Sequence, residues 1–130
     1  MSNTQIPILY SFRRCPYAMR ARFVLRSISQ SVELREIKLQ QKPIEFLKVT
    51  KLGTVPVMIL SKKEVLLESL DIICWCLKNS ENIKERKIVQ NENDISWKYI
   101  KLVDNDFKYN LDRYKYPSRY SNIDPNIYRK

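Results

Sequence analysis

Residues 1–80 alternate between short apolar runs and segments in which apolar positions recur with a helical period. The apolar runs predict strands over 6–12, 32–39, 55–60 and 65–67, with a hairpin turn between the last two. The helical segments predict a helix that begins at Pro16, a short helix over 43–49, and a helix opened by Glu68 and Ser69. The resulting order β-α-β-α-β-β-α predicts an α/β domain with a mixed sheet and helices on its faces.

Two of these helices carry an apolar stripe at spacings of three and four residues. The stripe residues are Ala18, Ala21, Leu25 and Ile28 in the first helix, and Leu70, Ile73, Cys74 and Leu77 in the last. Because side chains at this spacing share one helix face, we expect both stripes to pack on the sheet.

The second part of the chain has a different composition. Residues 79–93 are polar and contain few apolar anchors, which predicts a linker. An amphipathic helix over 94–114 follows, and Pro117 ends it. We therefore divide the chain into an α/β domain over 1–80 and a short partial helical region over 81–130.

The composition narrows the chemistry. The 130 residues include no histidine, which excludes Ser-His-Asp and Cys-His catalysis and most zinc sites. A single glycine, Gly53, excludes Gly-rich phosphate-binding loops. Three cysteines without an export signal argue against a disulfide framework. Since no apolar stretch is long enough to span a bilayer and residues 1–5 do not read as a signal peptide, we expect a cytoplasmic protein with no membrane partner. The missing histidines lead us to expect no metal.

The net charge of +10 is spread along the chain. Residues 1–80 hold 13 basic and 6 acidic groups, and residues 81–130 hold 11 and 8. A basic surface attracts nucleic acids and other anions in general. Because the excess forms no block and no nucleic-acid motif accompanies it, we interpret it as a solvated surface and expect no nucleic-acid partner.

Cys15 is the main candidate for chemistry. It stands between a predicted buried strand and a helix that begins at Pro16, with Arg13 and Arg14 beside it. Unpaired N–H groups and the positive end of the helix dipole stabilise a thiolate at such a position. We therefore predict a reactive cysteine rather than one that only packs.

No second thiol stands close to Cys15 in the sequence. A dithiol redox motif would have its second cysteine at position 18, which is Ala18. Cys74 and Cys76 lie on the last predicted helix of the α/β domain, where we expect them to pack in the core. A thiol that resolves an adduct on Cys15 must then come from another molecule.

Two further places could bind a peptide-like ligand. Val55-Pro56 opens a strand shortly after Gly53, and a cis bond there would turn the backbone of Val55 outward, whereas a trans bond would only limit edge pairing. Spacing alone leaves these two readings open. At the next helix start, Ser69 could bind a carboxylate and Glu68 an ammonium group, although a helix cap beside a solvated acid also explains the pair.

Together these segments resemble the N-terminal, thioredoxin-like domain of the glutathione S-transferase family, in its bacterial and omega-like branches with an active-site cysteine. Residues 10–22 (YSFRRCPYAMRAR) resemble the first strand–helix junction, 53–57 (GTVPV) the cis-proline loop, and 67–72 (LESLDI) the glutamyl-binding turn. The three motifs occur in the family's order. A weaker similarity continues over 111–117 (LDRYKYP).

The resemblance implies glutathione as co-substrate. Cys15 would face the glutathione sulfur, Val55 would pair with the cysteinyl backbone beside a cis Pro56, and Glu68 and Ser69 would hold the γ-glutamyl end. A cysteine at this position implies thiol transfer and reduction of a mixed disulfide more than conjugation of a small electrophile.

Two hydroxyls near Cys15 are alternatives for stabilising a thiolate. Tyr10 and Ser11 both precede the helix start and fall on the first strand, so we rank them below Cys15.

The family's helical C-terminal domain corresponds here only to residues 81–130, which is short for a domain. We therefore expect an incomplete pocket for the second substrate. A short natural form, a degraded gene and a fragment would each explain the short region.

The resemblance favours a transferase or thioltransferase, and the alternative is a non-catalytic glutathione- or protein-binding module of the same fold. A homodimer is also left open.

Overall fold

The computed structural model describes residues 5–129. Its strands are β1 (Ile8–Ser11), β2 (Glu33–Glu36), β3 (Val57–Ser61) and β4 (Glu64–Leu66). Its α-helices are α1 (Pro16–Ser27), α2 (Ile44–Val49), α3 (Ser69–Asn79), α4 (Ile83–Gln90), α5 (Ile95–Leu102) and α6 (Lys108–Lys115). The chain forms two compact units, one that ends at Val89 and one that begins at Gln90.

The four strands form one mixed sheet in the order β2-β1-β3-β4. β1 and β2 are parallel, with Ile8 opposite Glu33, and such a pair needs a crossover, which α1 supplies. β3 runs antiparallel to β1, with Tyr10 opposite Val57, and a hairpin joins β3 to β4. The predicted α/β fold class and the order βαβ-α-ββα are confirmed.

The core consists of two apolar clusters that lie on opposite faces of the sheet, because neighbouring strand residues point to opposite sides. The cluster beneath α1 and α3 contains Leu9, Ala21, Leu25, Met58, Ile72 and Cys76. The cluster on the α2 side contains Tyr10, Ile37, Phe46 and Val57. The predicted stripe of α1 is confirmed, since Ala18, Ala21 and Leu25 are buried and Ile28 packs against the first cluster.

The predicted stripe of α3 is wrong by one position. The buried residues are Ser69, Ile72, Ile73 and Cys76, whereas Leu70, Cys74 and Leu77 are only half-buried. Almost every residue over 70–77 is apolar, so two neighbouring stripes fit the sequence equally well. Packing against α1 and the sheet selects the stripe that begins at Ser69.

β2 is shorter than the predicted strand over 32–39, and all four of its residues are exposed. It lies at one edge of the sheet, where it pairs with β1. The next apolar position, Ile37, is buried, and its N–H donates to the carbonyl oxygen of Ser11 at 2.9 Å. This bond continues the connection between β2 and the end of β1.

The predicted linker over 79–93 is also corrected, because it contains the helix α4. The Asn82 side chain caps this helix by accepting the Lys84 N–H at 2.9 Å, and the Ser80 hydroxyl donates to the Glu85 carboxylate. Asn82 followed three residues later by Glu85 is a capping-box spacing, which the polar composition of the segment obscured.

In the second unit the predicted helix over 94–114 is confirmed in extent. Asp94 caps α5 by accepting the Ser96 N–H at 2.9 Å, and Pro117 starts a 3-10 turn just beyond the end of α6. A π-helical turn over Val103–Phe107, which the sequence did not predict, joins α5 to α6. No helix in the described part of the chain is both long and apolar enough to cross a membrane.

Candidate functional site

Cys15 occupies the N-cap of α1, directly before Pro16 at the first helical position. Its N–H donates to the carbonyl oxygen of Phe12 at 3.1 Å, which closes a turn between β1 and α1, and its own carbonyl accepts the Met19 N–H at 2.9 Å. The side chain is half-buried. The thiol therefore lies at the positive end of a helix that has no acidic residue in its first turn.

The second predicted feature lies beside this thiol. Sγ of Cys15 donates to the carbonyl oxygen of Val55 at a separation of 3.8 Å. The Val55-Pro56 peptide bond is cis, as expected from the resemblance. Within the described residues no acceptor receives the Val55 N–H, so this donor is available to an extended ligand.

The loop before Val55 depends on Gly53. This residue is buried and has φ +62°, a left-handed conformation that glycine adopts without strain. A Cβ at this position would lie 3.2 Å from Nζ of Lys42. Lys42 is thus a cation close to the Val55 loop that the sequence analysis did not single out.

The third predicted feature forms the start of α3. Glu68 is the exposed N-cap residue and makes no side-chain capping bond. Ser69 is buried, and its Oγ accepts a hydrogen bond from Nε of Arg20 at 2.9 Å. Arg20 belongs to α1 and also lies over the Tyr17 ring at 4.9 Å, so it connects this corner to the helix that Cys15 opens.

The hydroxyls of Tyr10 and Ser11 are engaged elsewhere. Both residues are buried; the Tyr10 hydroxyl accepts from Nη1 of Arg35 at 3.2 Å and Ser11 Oγ from Nη1 of Arg22 at 2.6 Å. Both oxygens are acceptors in these bonds, so each hydroxyl keeps its proton, and the rank of Tyr10 and Ser11 below Cys15 stays a prediction.

The remaining two cysteines differ from Cys15 in environment. Burial raises the pKa of the Cys76 thiol to about 11 and also raises the pKa of Cys74. Cys76 packs in the core as predicted, whereas Cys74 lies at its margin. Among residues 5–129, no group of three or more cysteine or acidic side chains could hold a metal ion.

Two residues missed in the sequence hold the turn that carries Cys15. Arg22 donates to the carbonyl oxygens of Phe12 and Arg13, and Glu36 accepts the Arg13 N–H. The available signal was spacing: Arg22 follows Cys15 by two helical turns, and side chains on a helix point back toward its N-terminus. Apart from the Ser11 hydroxyl, their partners are backbone groups, which residue types do not reveal.

The N-terminal part of the chain matches a known protein family, and the fold matches solved structures. A family model described as the N-terminal domain of glutathione S-transferase matches residues 9–84. The fold is similar to glutathione transferase Omega 1C from Trametes versicolor, with a TM-score of 0.66, 19% identity and coverage of 85% of this chain and 52% of that one. It is also similar to the Tau class enzyme from mango (Mangifera indica), with a TM-score of 0.68, 21% identity and coverage of 96% and 56%. The chain thus spans about half the length of these proteins.

Proposed function

Since the chain belongs to the glutathione S-transferase family, we propose that it binds glutathione and uses Cys15 to transfer thiols between glutathione and disulfides. The observation that carries this proposal is the position of the Cys15 thiol: at the N-terminus of α1 and 3.8 Å from the carbonyl oxygen of Val55. A thiolate at that place is stabilised by the helix and lies beside backbone groups that can align a peptide.

Glutathione binding is proposed to involve three groups: the backbone of Val55, the hydroxyl of Ser69 and the carboxylate of Glu68. The N–H and C=O of Val55, preceding Pro56, pair with the cysteinyl unit of glutathione in an antiparallel manner. At the start of α3, the Ser69 hydroxyl keeps its proton to donate, because its oxygen is the acceptor in the bond from Arg20. It can bind the γ-glutamyl carboxylate there, while the Glu68 carboxylate binds the ammonium group.

The proposed reaction is a pair of thiol–disulfide exchanges. The Cys15 thiolate attacks the glutathionyl sulfur of a mixed disulfide, so that a Cys15–glutathione disulfide forms and the other thiolate leaves. A second glutathione thiolate then attacks the glutathionyl sulfur on Cys15, which releases oxidised glutathione and regenerates the Cys15 thiolate. Overall, the sulfur of one free glutathione is oxidised to the disulfide level, the substrate sulfur is reduced to a thiol, and the glutathionyl sulfur stays at the disulfide level throughout.

Intact-mass spectrometry after incubation with oxidised glutathione tests this proposal. We expect one glutathionyl group per chain, located on Cys15 by peptide mapping, and none in a Cys15→Ser variant that still holds Cys74 and Cys76. An unmodified wild-type chain, or modification distributed over all three cysteines, would contradict the role of Cys15.

The matched family model covers only the N-terminal domain, and this favours keeping a binding module without turnover as the second candidate. Reduction of a small mixed disulfide by glutathione separates the two, because the module binds glutathione but does not turn over. We also propose that the second substrate is a mixed disulfide or a small electrophile. The homodimer is a separate part of the proposal, and sedimentation measures it.

A further inference from the structure

The turn that carries Cys15 is held from the side of α1 by one side chain. Arg22 donates from Nη1 to Ser11 Oγ at 2.6 Å and to the Phe12 carbonyl oxygen at 3.3 Å, and from Nη2 to the Arg13 carbonyl oxygen at 3.0 Å. The Phe12 oxygen is the one that also accepts the Cys15 N–H. One guanidinium therefore contacts the three consecutive residues at the end of β1 and the start of the turn.

The same turn is held from the sheet side by β2. Oε1 of Glu36 accepts the Arg13 N–H at 2.6 Å, and the Ser11 carbonyl oxygen accepts the Ile37 N–H at 2.9 Å. In a planar trans peptide the C=O and N–H point in opposite directions. Arg22 and Glu36 therefore hold the two ends of the Phe12–Arg13 peptide group, and its orientation is fixed from both sides.

We propose that Arg22 is a positioning residue for Cys15: it fixes the turn over 12–15 and thereby keeps the thiol at the helix start and beside Val55. This inference rests on the proposed function of Cys15. The contacts support it because the three acceptors named above lie within four residues of Cys15 in the chain.

The guanidinium suits this task in charge and in shape. The carbonyl oxygens of Phe12 and Arg13 carry partial negative charge close to a thiolate, and hydrogen bonds from a cation offset that charge. The planar fork of arginine reaches several acceptors at fixed angles, whereas a lysine ammonium is a point charge on a flexible stem. Lysine at position 22 should therefore restore the charge but not the geometry.

The test measures how fast Cys15 is alkylated in Arg22→Gln, Arg22→Lys and the matched control Arg26→Gln, which removes an exposed arginine one turn further along α1. Iodoacetamide is the probe: its carbon forms a bond to sulfur as iodide leaves. Peptide mass spectrometry follows Cys15, with Cys74 as the internal reference.

We expect alkylation of Cys15 to be about tenfold slower in Arg22→Gln, which corresponds to about 1.4 kcal/mol, intermediate in Arg22→Lys and unchanged in Arg26→Gln. In glutathione turnover we expect kcat to fall while KM for glutathione is unchanged, since Val55 and Ser69 are intact. A folded Arg22→Gln chain that is alkylated at the wild-type rate would overturn the proposal.

Glu36→Ala provides an independent variant that leaves α1 untouched. It releases the turn from the sheet side and removes a negative charge, so a pure charge effect would speed the alkylation of Cys15. We expect it to be about threefold slower, as loss of a positioning contact predicts. A faster reaction in Glu36→Ala would contradict a positioning role for Arg22 and Glu36.

Failure of the proposed function gives a different result. If wild-type Cys15 gains no glutathione, the proposed function is refuted, and the alkylation rates of the variants still decide the role of Arg22.

Discussion

The clearest quantitative prediction concerns Cys76, whose thiol is fully buried among Leu9, Leu25, Met58 and Ile72. Burial raises its pKa from an ordinary value of 9.0 to about 11. The folded protein therefore holds this proton more tightly than the unfolded chain does. Its contribution to stability is complete below about pH 9 and is lost as the pH rises toward 11.

The size of the effect follows from the two pKa values. At pH 10 the thiol is about 90% ionised in the unfolded chain and about 10% ionised in the folded protein, so the free energy of unfolding falls by about 1.4 kcal/mol relative to neutral pH. Replacing Cys76 with alanine removes one buried sulfur, which costs about 1 kcal/mol at neutral pH. The variant should then be less stable than the wild type at pH 7.5 and equal to it or slightly more stable at pH 10.

Urea denaturation of wild type and Cys76→Ala at both pH values, under reducing conditions, measures this reversal. Cys15 and Cys74 are present in both proteins, so their contributions to stability cancel in the difference. A stability difference that stays constant from pH 7.5 to pH 10 would refute the reasoning, because the Cys76 thiol would then titrate alike in the folded and unfolded chains.

Three further outcomes are expected. Gly53→Ala should lower the free energy of unfolding by about 1–2 kcal/mol in urea titrations, because alanine is strained at φ +62°; equal stability would show that the loop rearranges. Ser69→Ala should raise the glutathione Kd about tenfold in calorimetry through loss of a charge-assisted hydrogen bond, whereas the exposed Ser27→Ala control should not. Mixed-disulfide reduction should exceed conjugation of aromatic halides in paired assays, since the half-buried group at the helix start is the Cys15 thiol, whereas the Tyr10 and Ser11 side chains are buried; dominant conjugation would contradict this.

Local signals were sufficient where one interpretation of the sequence dominated. Pro16 marks the start of α1 because proline fits the first helical turn, and the alternation of apolar residues around it leaves a single buried face. Cys15 and Val55, 40 residues apart in the chain, were expected to meet only from the resemblance, and the structure brings them together.

The sequence was insufficient where the deciding interactions are tertiary or involve the backbone. The face of α3 depends on which of two apolar stripes meets α1, and helical period does not distinguish them. Because α4 is polar on most sides, its capping residues indicate the helix, whereas its apolar positions do not. Two of the acceptors of Arg22 are carbonyl oxygens, which every residue carries, and the third, the Ser11 hydroxyl, lies 11 residues away in the chain, so residue types alone do not reveal these partners.

The exposed edge strand β2 has a consequence for behaviour at high concentration. A sheet edge presents unpaired backbone groups that another chain can extend into a fibre. β2 has only four residues, of which Glu33, Arg35 and Glu36 are charged, and Arg35 forms an ion pair with Glu33 at 2.6 Å. A second copy that added its own strand there would have to desolvate these charges. We therefore expect this edge to resist strand-by-strand aggregation.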